Sequence, residues 1–514
     1  MRATRSSATA HKAGRDLVRQ DPTLPHPAAA PAQPRISERL YNQDLAPTKA
    51  RGRSWTSYNI FALWANDVHS LANYGFALGL FALGLGGWQI LLALGVGGAL
   101  LFILLTFSGL MGQKTGVPFP VMSRISFGVR GAQIPALIRG GIAVVWFGIQ
   151  TYLASLVLRV ALITLAPGLQ RLEGNSILGL STLGWLTFGF LWIVQTYIVL
   201  RGMDVIRRYE AFAGPVILTT MVALAVWTFG RAGGSMSWST NNQLTGAAMW
   251  LQIFTGGALW VSIYSAFVLN FCEFTRSSKT RTSIVKGNFW GILISSLFFG
   301  VIVIVMAGAQ FEIDGVIVTS PADIVEAIPN TVLLVAGSLS LLVLTVAVNL
   351  NANFVAPIYV LTNLFPRKLN FTRAGLVSAI IGLVILPWNL YSNPAVIVYF
   401  LGGLGALVGP LFGVIFADYW ILRRTKINVP DLYTEDPTGA YYYRHGFNPR
   451  ALAAVVPATL CSLLIAFIPA LGALSAFSWF FGAGIGALTY ILLADRTQSF
   501  EDVSGEVIAV PSMR

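Results

Sequence analysis

Charge is scarce in this sequence. Only 11% of the 514 residues are charged, against roughly 25% in soluble domains. A chain so poor in charge cannot dress a surface for water, and lipid must cover much of it. Cysteine is scarcer still. Cys272 and Cys461 both lie in apolar runs, which excludes a disulfide framework and a cysteine metal site; they read as small core hydrophobes. No Walker motif, metal-ligand cluster or Ser/His/Asp arrangement is evident, so neither an ATP-driven pump nor an enzyme is expected, and no cofactor is called for. Acidic residues are outnumbered 21 to 34 by Lys and Arg. The basic residues sit mostly in short loops between apolar runs. They are not interleaved with exposed aromatics, so nucleic acid is not the expected partner. A cleavable signal peptide is also missing, since the first long apolar stretch begins near Asn59.

Apolar residues, in contrast, make up 55% of the chain. A helix crossing about 30 Å of hydrocarbon needs roughly 20 of them in a row. Such runs fall at 59–85, 88–110, 134–162, 177–200, 211–230, 248–274, 287–309, 331–361, 374–390, 395–422, 451–470 and 474–494. The expectation is an all-α integral membrane protein with twelve transmembrane helices. Lys and Arg crowd alternate connections: Arg51 and Arg53 before span 1, Lys114, Arg124 and Arg130 after span 2, Arg207 and Arg208 after span 4, Arg276 and Arg281 after span 6, Arg367 and Lys368 after span 8, and Arg423 and Arg424 after span 10. The connections between are poor in base, and loop 7–8 is acidic. By the positive-inside rule both termini are cytoplasmic, in a plasma (inner) membrane.

The expected organisation has five parts. Residues 1–53 form a basic cytoplasmic tail, with a Pro/Ala stretch over 22–34 that cannot bury a core and reads as disordered. A transport core of spans 1–10 occupies 54–422, a cytoplasmic loop 423–450, spans 11 and 12 occupy 451–494, and 495–514 form a second tail. Span 1 starts from inside and span 6 from outside. Two groups of five spans are therefore expected to be inverted relative to each other, as in many secondary transporters.

Several spans carry polar groups where lipid should be. Span 1 is interrupted by Asn66, Asp67, His69 and Ser70, with Asn73 just beyond. A charge at mid-membrane costs on the order of 3 kcal/mol, so such groups face a cavity or a partner; the alternative is a position near the interface. Span 3 sets Trp146 and Gln150 at i and i+4, on one helix face. A planar heterocycle could stack on the first and pair with the second. A lipid-belt tryptophan beside interhelical glue fits the spacing equally well. Span 6 has Gly256-Gly257, which permits either a helix break or close packing, and then Trp260 and Tyr264. Span 8 carries Asn349, Asn351 and Asn353, the first and last on one face.

At these residues the chain resembles the nucleobase:cation symporter-1 family, transporters of hydantoins, allantoin, uracil and cytosine. The resemblance runs from Asn42 to about Tyr433. It is carried by Asn42-Gln-Asp-Leu-Ala-Pro47, Lys114-Thr-Gly-Val-Pro-Phe-Pro120, Phe127-Gly-Val-Arg-Gly131, Trp146-Phe-Gly-Ile-Gln150, Asn353 with Ala356-Pro357, Leu386-Pro-Trp388 and Asp418-Tyr-Trp420. It implies a leucine-transporter-like fold: a five-plus-five inverted repeat with two additional C-terminal helices. It also implies a planar ring held between aromatic residues of spans 3 and 6. By motif, Trp146 is similar to the stacking tryptophan, Gln150 to the amide beside it, Asn353 to the substrate-contacting asparagine, and Ser70 to a polar contact in broken span 1.

Two positions depart from the family pattern. The span-6 aromatic is usually tryptophan. Alignment through Val268-Leu-Asn270 puts Tyr264 there, with Trp260 one turn earlier as the substitute. Sodium-coupled relatives carry a Ser-Thr pair before the span-8 asparagine, where this chain has Ala347 and Val348 before Asn349. A hard cation wants oxygen ligands, and methyl groups supply none. Asp67, His69 and Asn66 offer protonatable and polar groups instead. The expected function is therefore alternating-access import of a planar heterocycle, coupled to protons or to no ion rather than to sodium. Uracil, a related pyrimidine-type ring or a hydantoin ranks first and allantoin next. A sodium-coupled symporter and a non-transporting receptor are the alternatives.

Overall fold

A computed structural model describes residues 36–240, 243–315, 320–392, 394–495 and 497–508, with the side chains of 394–402 left aside. The Pro/Ala stretch of the tail lies outside the described residues. Helices follow the apolar runs: α1 (Ser57–Val68), α2 (Leu71–Ala82), α3 (Gly87–Thr115), α4 (Gln133–Leu165), α5 (Thr182–Leu200), α6 (Met203–Arg231), α7 (Gly246–Ile263) and α8 (Ser265–Asn270). Then come α9 (Arg281–Asp314), α10 (Thr331–Leu364), α11 (Phe371–Val384), α12 (Pro394–Phe416), α13 (Pro449–Phe467) and α14 (Ser478–Leu493). Among the described residues there is no β-sheet, only isolated bridges.

Among the described residues, ten helical stretches are long and apolar enough to cross a membrane. Two of the twelve runs do not form one such helix, for stated local reasons. The first divides into α1 and α2 at His69 and Ser70. The ninth ends early, because Leu386 takes a left-handed conformation (φ 48°) before Pro387 starts a short separate turn. The fourth run starts later than expected, at Thr182: the Ser181 side chain accepts from the Gly184 N–H and fixes the helix start there.

Helix packing divides the bundle into two groups. In one, α3 packs on α7, while α1 and α3 pack on α9. In the other, α4 packs on α10 and α5, and α11 packs on α5 and α10. Helix α6 touches both groups, through α1 and α9 on one side and α10 on the other. Small residues set the spacing. A Cβ on Gly97 of α3 would lie 2.8 Å from the Gly257 carbonyl, so the Gly256-Gly257 pair serves close packing of α7 on α3, not a helix break. The break lies further on, at Tyr264.

The expectation of disorder up to Arg53 fails for residues 36–53. Leu40, Tyr41, Asn42 and Leu45 are buried. Asn42 donates to the Pro366 and Leu369 carbonyls at 2.7 and 3.0 Å. Arg276 donates to the Asp44 and Ala46 carbonyls and to the Thr48 hydroxyl at 3.1, 2.8 and 2.8 Å. Tyr433 donates to the Leu45 carbonyl at 2.6 Å. This strap therefore ties together the connections after α3, α8, α10 and α12. The C-terminal tail joins them: Lys114 pairs with Asp502 at 2.9 Å, and Val429 donates to the Val503 carbonyl at 2.9 Å. The base-rich connections after spans 2, 6, 8 and 10 thus meet on one face. Gly128 (φ 90°) belongs there too; a Cβ on it would lie 2.5 Å from the Gly446 carbonyl.

Candidate functional site

The break in the first run is built from its polar residues. Helix α1 stops at Val68, which frees its last carbonyls. Asn73 satisfies two of them, donating to the Asp67 and Val68 carbonyls at 2.8 and 3.2 Å. Ser70 turns extended and caps α2 by accepting from the Asn73 N–H. The asparagine that closes the helix C-terminus thus lies only five residues past Val68, and no neighbouring helix is needed for the closure.

Across the bundle, α10 carries a wide π-helical turn at Leu350–Phe354. Such turns release carbonyls from the helical ladder. Arg139 of α4 takes the Ala352 carbonyl at 2.8 Å. Asn349 ends the regular helix as a buried knot: it donates to the Phe147 carbonyl, the Thr151 hydroxyl and the Gln195 amide oxygen at 3.1, 3.0 and 2.7 Å. Its own oxygen accepts from Asn353 at 3.0 Å.

Between these two discontinuities lies a cavity of about 500 Å³. Asp67, Ser70, Asn73 and Phe76 line it from the first pair of helices, and Phe267 from α8. Arg139, Trp146, Gln150 and Asn353 face them from α4 and α10. Its far end reaches Ser475 and Ala476, in the connection between α13 and α14, opposite the strap-covered face. Arg139 sits nearer the strap than Trp146 does, by seven residues of α4, or about 10 Å. The lining is therefore mixed: flat aromatic and aliphatic surface with amides, several serine hydroxyls, one carboxyl and one guanidinium. That composition suits a small, flat, polar-edged molecule.

Five of the sequence-derived residues meet at this cavity: Asp67, Ser70, Trp146, Gln150 and Asn353. Three do not line it. Tyr264 is wholly buried behind the wall, where its hydroxyl accepts from Asn73 at 2.8 Å and its ring packs edge-on to Trp64. It is therefore not a stacking surface here, and Phe267, three residues later on α8, takes the wall position. Trp260 does not replace it either; its ring is stacked on Phe299 and bonded to Ser296 at 3.1 Å. His69 points away from the cavity, into Tyr74, Phe298 and Phe299, with Nδ1 3.0 Å from the Tyr74 hydroxyl. Asn66 faces α6, where it bonds the carboxylate and backbone carbonyl of Glu210.

Nothing in the sequence around Arg139 marks it as a site residue; its position comes from the π-turn of another helix. It is 1% exposed and faces the buried carboxylate of Glu273, which Asn270 also bonds at 2.6 Å. Ala347 and Val348 remain apolar and buried, with no hydroxyl beside the α1 terminus at those positions.

Comparison with known proteins gives a consistent result. Residues 47–488 match the family described as permeases for cytosine/purines, uracil, thiamine and allantoin. An allantoin permease of Bacillus subtilis is 35% identical over 461 residues, covering 89% of this chain and 94% of that protein. A purine-uracil permease of Arabidopsis thaliana is 32% identical over 447 residues, covering 85% of this chain and 73% of that protein. A solved nucleobase-cation-symport-1 family transporter, closed around bromovinylhydantoin, superposes with a TM-score of 0.74 at 25% identity, covering 88% of this chain and 95% of that one.

Proposed function

The chain belongs to the nucleobase:cation symporter-1 family of permeases, and from that footing we propose that it is a secondary active importer of a planar heterocycle. It is a multi-pass membrane transporter and not an enzyme. The observation that carries the reading is the meeting of Trp146, Gln150 and Asn353 with Asp67 and Ser70 across one cavity between two groups of helices. In this reading the ring stacks on Trp146, with Phe267 as the aromatic opposite. Gln150 and Asn353 each present a donor and an acceptor to its edge. Asp67 and Ser70 reach the ring from the end of α1.

The cavity opens and closes by rocking of one helix group against the other. This motion belongs to a twelve-span bundle in which the first ten spans form a leucine-transporter-like five-plus-five inverted repeat. The strap-covered face is cytoplasmic, in keeping with its Lys and Arg, and both termini lie there.

Allantoin moves to the head of the substrate order, ahead of uracil and hydantoins. The support is the identity to the Bacillus permease; allantoin is a hydantoin ring with a ureido arm, matching the polar lining. Coupling is to protons, with sodium disfavoured by Ala347 and Val348. The test is uptake of labelled allantoin, uracil and hydantoin into proteoliposomes with sodium and proton gradients imposed separately. Saturable accumulation of one of them in sodium-free buffer is expected. A strict sodium requirement at fixed pH refutes the coupling, and the absence of both uptake and counterflow refutes transport of these rings.

A further inference from the structure

One buried carboxylate has no part in the cavity. Glu210 lies on α6, the helix that touches both groups of the bundle, and it is 2% exposed. Asn66 donates both to its carboxylate and, at 3.0 Å, to its backbone carbonyl. Asp67 from α1 and Asn351 from the π-turn of α10 are the other groups that face it, and Tyr209 is the titratable neighbour on α6 itself. Helices α5 and α9 and the short helix Pro321–Glu326 also pack on α6, but among the described residues they present no charged group to Glu210. No Lys, Arg or His pairs with it among those residues. Its second oxygen, Oε1, and the Asn66 oxygen both lack a hydrogen-bond partner.

That arrangement is short of one positive charge. A buried carboxylate without a cation is costly, and Asn351, whose amide nitrogen also lacks a partner, faces it as a neutral donor that supplies no charge. A single proton on the carboxyl removes that cost. The position also joins the two moving parts. Asn66 is the last-turn residue of α1, next to Asp67 on the cavity wall, and Asn351 sits in the π-turn that carries Asn353. We propose that Glu210 is the residue that holds the coupling proton, and that its protonation clamps the end of α1 and the π-turn of α10 onto α6. The clamp rests on the proton-coupled reading given above. Asp67 is the wall carboxyl through which a proton from the cavity reaches Glu210. Release is to water on the strap side, since Glu210 is only seven residues, about 10 Å, from the start of α6. Loss of the proton leaves a buried anion that the amides of Asn66 and Asn351 do not neutralise, and this favours parting of α6 from α1.

The experiment uses the full chain in proteoliposomes with labelled allantoin, alkaline inside, without sodium. For one proton per substrate, a gradient of one pH unit, about 1.4 kcal/mol, drives about tenfold accumulation. Wild type is expected to reach it. Glu210→Gln is expected to bind allantoin and to exchange it across the membrane, yet to stop at equal concentrations. Glu210→Asp keeps a carboxyl on a shorter stem, so accumulation should persist with a displaced pH profile. Full gradient-driven accumulation by the Gln variant overturns the assignment, and so does an Asp variant whose pH profile is unchanged, which decides the matter if the Gln variant does not fold. A wild-type protein indifferent to the pH gradient instead overturns proton coupling itself, and Glu210's role with it.

Discussion

Asn353 reaches the cavity with its amide already committed to Asn349, to whose side-chain oxygen it donates at 3.0 Å. Asn349 in turn is fixed by α4 and α5 through Phe147, Thr151 and Gln195. The orientation of one cavity amide is thus set by a residue that never touches the cavity. Asn349→Ala is expected to weaken heterocycle binding about tenfold, or ~1.4 kcal/mol, by freeing the Asn353 rotamer. Ligand affinity of the purified variant checks this; unchanged affinity would mean that Asn353 is held by other means or is not a contact.

Arg139 lines the cavity on the strap side of Trp146 and faces the buried carboxylate of Glu273 behind it. Removing one partner leaves the other buried, which costs about 3 kcal/mol or more. Arg139→Ala should therefore melt well below wild type. The double variant Arg139→Met with Glu273→Gln should recover part of the loss, because no uncompensated charge remains. If the double variant melts no higher than the single, the two groups are not coupled.

Gly148 lies between Trp146 and Gln150 but faces the other way, against α11. A Cβ there would meet the Gly382 carbonyl at 2.7 Å and the Pro387 ring at 2.9 Å. Gly148→Val should cost about 1–3 kcal/mol through overpacking and move the cavity face of α4. Gly141→Ala, on the same helix with nothing within 4 Å of the added carbon, is the matched control and should leave melting and binding unchanged. Equal behaviour of the two variants would show that α4 does not depend on this close approach.

Much of this architecture is legible in the sequence, and the illegible parts have physical causes. The apolar runs mark the helices because hydrocarbon admits little else. The break after Val68 is visible because its closing groups, Ser70 and Asn73, lie within the run itself. Trp146 and Gln150 share a face by helical spacing alone, and the family resemblance then selects the cavity over the lipid. Tyr264 and Phe267 are another matter. Which aromatic meets the cavity depends on how the chain rotates at a break whose position Gly256-Gly257 mis-signals; those glycines answer to α3 instead. Arg139 and Glu210 give no local sign at all. The partner of the first is a carbonyl freed by a turn in α10, and that of the second is an amide at the end of α1, more than a hundred residues away in the chain. The tail over 36–53 is composed like a disordered segment, yet it folds because Arg276 and the carbonyls after α10 supply the bonds it lacks alone.

The most direct test of the substrate site is the affinity of purified protein for allantoin, uracil and hydantoin, measured by thermal shift and by radioligand binding in wild type, Trp146→Ala and Gln150→Ala. A ligand that binds the folded state raises its melting temperature by mass action. One of these rings should stabilise wild type, and both variants should remain folded while losing that shift and the bound label. Wild-type affinity in both variants would contradict the placement of the ring between α4 and the broken helix.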